Sequence, residues 1–208
     1  PQGFFETLRG TVKEDVIGML GLGWDVVNLS QKYHASCHAT HSPMEASLAA
    51  VNDNAIKPDE IETITVHASE LALQAAGKRT PGHGLEGKFS IPYCVANALI
   101  RGVTGMKAFT DEAVNDPEVR GFMEKIEVVH DGSMKALESL VEVRTRDGRT
   151  YTAFSDILQQ IPPYEIKKTR VESKFLDLAA PVVGREKAER IMDEICHLEQ
   201  VRDMAELA

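Results

Sequence analysis

Glu62-Thr63-Ile64-Thr65-Val66-His67-Ala68 alternates Ile64, Val66 and Ala68 against Thr63, Thr65 and His67. A period of two places one set of side chains on a single face of an extended chain, so the stretch reads as a half-buried β-strand. Downstream, Ser69 is placed to cap a short helix that ends at Gly77. Ile126 to His130, Leu140 to Thr145 and Thr150 to Phe154 read as further strands, the last two joined by the hairpin signal Asp147-Gly148. These three are expected to share an antiparallel sheet. Upstream, Ser42-Pro43-Met44-Glu45 predicts a helix running to about Asn52, with Ser42 as cap, Pro43 in the first position and Glu45 completing a capping box. A second helix is expected from Ser90, its cap, to Arg101; Pro92 suits its first turn, and Ala96 and Ala98 allow close, buried packing. Asp111 to Glu124 reads as helical in pieces. Tyr164 to Leu178 and Arg185 to Leu198 carry helical apolar spacing, with Pro181 and Gly184 between them. The fold class that follows is α+β, an antiparallel or mixed sheet covered by helices.

Residues 1–26 are punctuated by glycines and lack the apolar content of a core, so they read as a connector, leaving 27–208 as the α+β domain. Val26 to Tyr33 predicts a short strand. The chain starts at Pro1 with no basic or apolar leader, which is the expectation for a fragment or a processed product. Its 208 residues, 43% hydrophobic and 26% charged, suit a folded chain rather than a disordered one. No apolar run approaches the ~18 residues of a membrane span, so no membrane partner is expected. Lys plus Arg at 23 against Asp plus Glu at 32 gives a formal charge of −9, and no basic cluster offers a nucleic-acid surface. The three cysteines, Cys37, Cys94 and Cys196, are odd in number and widely spaced, which argues for a reducing, cytoplasmic setting. Cys94 and Cys196 sit in apolar patterns and read as packing residues. An acidic chain that binds an acidic metabolite must gather its cations locally.

The densest chemistry lies in Lys32-Tyr33-His34-Ala35-Ser36-Cys37-His38-Ala39-Thr40-His41, directly before a helix. Helix N-termini present free N–H groups and partial positive charge, so a lysine and several histidines beside one make a site for carboxylate or phosphate. Lys78 and Arg79 in the four-glycine loop 77–87, then Lys88, Ser90 and Tyr93, repeat the arrangement at the second helix start. If the two starts meet in space, they clamp a substrate bearing several carboxylates. Other readings stay open: zinc held by His34, Cys37, His38 and His41, at a spacing matching no common module; purely structural histidines; Cys37 as nucleophile beside His38; Tyr93 as a core aromatic rather than an acid or base; and Lys78 and Arg79 as a solvated loop.

Lys-Tyr-x-x-x-Cys-x-x-Thr-His over 32–41 and Gly-Lys-Phe-Ser-Ile-Pro-Tyr-Cys-Val-Ala-Asn-Ala-Leu over 87–99 resemble the C-terminal half of the MmgE/PrpD family. Phe-Thr-Asp-Glu from 109, Asp-Pro-Glu-Val from 116 and Lys-Lys-Thr-Arg-Val-Glu-Ser-Lys-Phe from 167 extend the likeness to nearly the whole chain. That family includes 2-methylcitrate dehydratase, cis-aconitate decarboxylase and iminodisuccinate epimerase. The resemblance implies a lid domain that is present here and an all-helical N-terminal domain that is not, with the active site between them and a homodimer when full length. It matches Lys32 to the lysine facing substrate carboxylate and Tyr93 to the active-site tyrosine. Cys37 falls where the decarboxylase branch has a catalytic histidine, beside His38. The Asp, Thr, His and Lys contributed by the helical domain have no counterpart in this chain.

The chemistry implied is formation or quenching of a carbanion next to a carboxylate on a small di- or tricarboxylate, without cofactor or metal. Cations and N–H donors stabilise the developing enediolate while a positioned base removes the proton. An iron–sulfur cluster is not expected from three dispersed cysteines. The expected set is Lys32, Tyr93, His38 and Cys37 for catalysis, with His41, Ser90, Lys88, Lys78 and Arg79 binding substrate. The chain reads as the C-terminal half of a lyase or isomerase, inactive alone. The alternatives are a carboxylate-binding or interaction domain without turnover, and the small subunit of a split two-chain enzyme.

Overall fold

The alternating segment forms β1 (Ile61–Ala68), with Ile61, Ile64, Val66 and Ala68 fully buried and His67 on the opposite face. In the computed structural model, which describes residues 18, 19, 21–24, 29–203 and 205, the chain divides into two compact units, 1–31 and 32–208. Most of the expected connector 1–26 lies outside the described residues. What is described of the first unit is a turn, in which the Leu22 N–H donates to the Met19 carbonyl at 3.0 Å.

In the second unit, β2 (Ile126–His130), β3 (Glu138–Thr145) and β4 (Thr150–Asp156) join β1 in one sheet of order β2-β1-β3-β4. β3 and β4 are the antiparallel hairpin expected from Asp147-Gly148, with Gly148 at φ 87° in the turn. β1 pairs antiparallel with β3, Val66 opposite Val141, and parallel with β2, Ile64 opposite Ile126. The sheet is therefore mixed, which corrects the all-antiparallel arrangement expected for the three later strands. A parallel neighbour needs a crossover. Segment 69–125 supplies it, carrying five helices: α2 (Glu70–Ala76), α3 (Gly84–Gly87), α4 (Ile91–Arg101), α5 (Asp111–Val114) and α6 (Pro117–Met123).

One face of the sheet is covered. α1 (His41–Asn52) packs on β3 and β4, and α4 packs on α1, α6 and β2. Met44, Ile91 and Val95 from the helices meet Ile64, Val66, Val141 and Val143 in a core whose members are almost wholly buried. Burial of that apolar area is the main stabilising term of the fold. The local caps form where expected: the Ser69 hydroxyl accepts from the Ala72 N–H and the Ser90 hydroxyl from the Tyr93 N–H, each at 3.2 Å. Gly102, at φ 64°, closes α4.

Three expectations are corrected. Residues 29–33 form no strand, and 26–28 lie outside the described residues. α1 starts at His41, directly after a 3₁₀ turn over His38–Thr40, so Ser42 is inside the helix; its hydroxyl donates to the Leu137 carbonyl instead of capping. Pro181 does not separate the tail helices: α7 (Tyr164–Val183) runs through it, and Gly184 at φ 86° makes the break before α8 (Arg185–Cys196). No residue of α7 is buried. Among the described residues no helix is long and apolar enough to cross a membrane.

Candidate active site

The segment before α1 is tied down at every second or third residue. The Ala35 N–H donates to the Thr104 carbonyl at 2.9 Å and the Cys37 N–H to the Lys88 carbonyl at 2.8 Å. The Thr40 hydroxyl donates to the Cys37 carbonyl at 2.8 Å and lies 2.7 Å from the Ser36 hydroxyl. The Cys94 thiol of α4 sits beside Ser36 and Thr40 and donates to the Gly87 carbonyl at 3.4 Å. The starts of α1 and α4 therefore do meet, through Cys37–Lys88 and the hydroxyls around Cys94.

Three histidine rings line this junction. His34 and His41 meet edge to face with centroids 4.8 Å apart, and His38 and His41 likewise at 5.1 Å. His34 is fully engaged: one ring nitrogen lies 2.8 Å from the Thr104 hydroxyl, and Nε2 lies 2.9 Å from the Glu45 carboxylate. A carboxylate only accepts, so Nε2 carries the hydrogen. His41, 2% exposed, is the reverse case, because its Nε2 is buried and has no hydrogen-bond partner among the described residues; the His38 Nε2 shares that condition. Burial, then the neighbouring His34, His38 and Lys32, pushes His41 down to about 3. Burial and Lys32 lower His38 as well. Both rings are neutral at pH 7, so they offer lone pairs rather than positive charge. The positive charge comes from Lys32, which is exposed at the edge of the group.

The other expected residues divide. Lys88 lies at the junction, its ammonium 3.5 Å from Met106 Sδ and 5.8 Å from the centre of the Phe109 ring. Lys78 turns to Glu86 at 2.8 Å, and Arg79 is exposed in the same loop. Ser90 is buried and spent on capping α4. Tyr93 lies in the core, in the position of its alternative reading as a packing aromatic. Its side chain is fully buried, its ring packs edge to face on Phe109, and its hydroxyl donates to the Ala108 carbonyl. Burial raises its pKa. A hydroxyl held by a backbone carbonyl inside the core has no free path to a ligand. No hydrogen bond reaches Cys37 Sγ among the described residues. Both His34 nitrogens are occupied, and among the described residues no group of three or more potential ligands is arranged to hold a metal ion.

The family model described as the MmgE/PrpD C-terminal domain matches residues 34–200, the span holding the histidine group, the sheet and both tail helices. The chain belongs to the MmgE/PrpD family. It is 24% identical over 180 residues to cis-aconitate decarboxylase of Mus musculus, covering 81% of this chain and 36% of that protein. It is 26% identical over 209 residues to a cis-aconitate decarboxylase-like protein of Aspergillus oryzae, covering 93% of this chain and 42% of that protein. The chain thus spans roughly two fifths of the length of the curated relatives it matches.

Four residues around the MmgE/PrpD motif of this chain were not read from the sequence as neighbours of the histidine group: Glu45, Thr104, Arg170 and Lys174. Hydrogen bonds from His34 and Arg170, with the Arg170 charge, overcome the effect of burial and bring the Glu45 carboxyl down to about 2. Arg170 also lies over the Tyr33 ring, 4.1 Å from its centre. The Lys174 ammonium donates to the Lys32 carbonyl. One signal was available: Arg170 and Lys174 are four apart, hence on one face of a helix.

Proposed function

We propose that this chain supplies the C-terminal-domain half of the active site of a cofactor-independent lyase or isomerase acting on a small di- or tricarboxylate. The reaction is removal or return of a proton on a carbon next to a carboxylate. The observation that carries this reading is the pairing of an exposed ammonium, Lys32, with two neutral imidazoles whose Nε2 atoms have no partner in the fold. Lys32 draws charge into the carboxylate as the enediolate forms. His38, whose ring is only partly buried although its Nε2 is covered within this chain, is assigned the proton transfer, because a lowered pKa leaves its lone pair free at neutral pH. Lys88, at the junction of the two helix starts, is assigned a second carboxylate, and Cys37 directly precedes the His38–Thr40 turn. The proposal leaves Tyr93 to packing.

The remaining catalytic groups come from the part of the relatives' length that this chain does not span, and the full natural protein works as a homodimer. The test is turnover of cis-aconitate and 2-methylcitrate by that full protein, with Lys32→Ala alongside. Wild-type turnover with a loss of about 100-fold or more in kcat/KM for the variant is expected. Turnover that survives Lys32→Ala, or no turnover of a panel of small carboxylates, would point instead to a carboxylate-binding domain without chemistry.

A further inference from the structure

Lys32 and Tyr33 belong to no helix or strand, yet the proposed chemistry needs the Lys32 ammonium at a fixed place beside the histidines. What holds this segment comes from far along the chain. Arg170 of α7 bonds to the Glu45 carboxylate, and the same carboxylate oxygen accepts from His34 Nε2 at 2.9 Å. The Arg170 guanidinium covers the Tyr33 ring at 4.1 Å, and Lys174, one turn further, donates to the Lys32 carbonyl. Thr104 closes the other side, against the second nitrogen of His34 and the Ala35 N–H. We infer that Arg170, acting through Glu45 and the Tyr33 ring, is a positioning residue that sets the Lys32–His34 segment for substrate.

The inference rests on the proposed function for its kinetic meaning, while the positioning itself is physically separate. α7 buries none of its residues, so these polar contacts rather than core packing tie it to the segment. Arginine suits the task because its planar group bonds a carboxylate and stacks on an aromatic ring at once, and lysine does neither in the same way. Glu45 cannot be held equally well by His34 alone. Without Arg170, a carboxylate of intermediate exposure keeps only one side-chain partner, and the face of Tyr33 is uncovered. A small displacement of a charge-bearing residue lowers turnover steeply.

The experiment uses the full natural protein with Arg170→Met, Glu45→Gln and, as a control on the same helix, Lys168→Met. Hydrogen–deuterium exchange is followed for the amides of residues 33–37, and kcat and KM for whichever carboxylate the wild type converts. Arg170→Met and Glu45→Gln should raise exchange in 33–37 at least fivefold, leave β1 unchanged and lower kcat/KM at least tenfold; Lys168→Met should match wild type. Methylguanidinium should restore part of the lost turnover to Arg170→Ala, which a general loss of fold does not allow. Exchange within twofold of wild type in both variants would overturn the inference, as would raised exchange with unchanged kinetics. If the wild type converts no carboxylate, the proposed function falls and exchange alone decides the positioning. If Arg170→Met does not fold, Glu45→Gln, nearly equal in size, carries the same two outcomes.

Discussion

His41 sits at the first position of α1 with a buried nitrogen that nothing in the described fold satisfies. Its pKa of about 3 lies below the 6.5 of an exposed ring, which fixes the sign of its effect on stability. As pH falls below about 6.5 the unfolded chain takes up a proton that the folded chain refuses until about 3, so stability is lost across that window. His38 acts in the same sense. Glu45 adds its own loss only as pH falls from about 4.5 towards 2, so the interval from pH 7 to 5 isolates the histidines. Unfolding free energies from urea titration should therefore drop between pH 7 and 5, by up to about 2 kcal/mol for His41. His41→Gln should flatten the drop, and an equal drop in the variant would contradict the assignment. Tyr93 yields a second prediction at this scale. Tyr93→Phe leaves the Ala108 carbonyl unpaired, so stability should fall by about 1–2 kcal/mol while kcat/KM of the full protein stays within about twofold. A large loss of turnover at unchanged stability would return the hydroxyl to the reaction.

Elements whose signals are local were legible in the sequence. Ser69 and Ser90 cap α2 and α4 through bonds three residues long, β1 declares its buried face by strict alternation, and Asp147-Gly148 makes its turn. Elements that depend on distant partners were not. The start of α1 moved to His41 because Ser42 and Glu45 found partners 95 and 125 residues away, in the Leu137 carbonyl and in Arg170, rather than in the local backbone. β2 was read as a strand but its parallel place beside β1 was not, because pairing across a 57-residue crossover leaves no mark on either strand's own pattern. The glycine loop 77–87 shows the same limit. Its Gly84 lies so close to the segment after α4 that a Cβ would fall 2.0 Å from the Phe109 carbonyl oxygen and 2.7 Å from its carbon. Backbone cannot yield as a side chain can, so Gly84→Ala should destabilise by about 2 kcal/mol or more in urea. Gly132→Ala, whose nearest neighbour is 4.0 Å away, should stay within about 0.5 kcal/mol. Equal effects of the two would show that α3 does not press on Phe109.

At the scale of the molecule, the described residues from 32 onward hold a four-stranded sheet with a covered core, while the candidate site holds the exposed Lys32 ammonium and two imidazoles whose Nε2 atoms have no partner among the described residues. Folding and chemistry therefore separate. The core, built from α1, α4 and one face of the sheet, gives the 208-residue chain what it needs to fold alone, since a chain of this size buries most of the surface it exposes when unfolded. Catalysis of proton transfer next to a carboxylate demands more: a base, stabilisation of the developing charge and a surface that holds the rest of the substrate and excludes water. In the proposed function, Lys32, His38 and Lys88 supply one side of that site only. The chain expressed by itself should show a cooperative urea transition and a mixed helix and strand circular dichroism spectrum. It should also show no detectable turnover of cis-aconitate or 2-methylcitrate, and at most millimolar binding of either by calorimetry. Adding the complementary part of the full natural protein in trans should restore activity only if the two parts associate. Substantial turnover by the 208 residues alone would mean that Lys32 and the histidine pair suffice as a site, and that the second wall is not required.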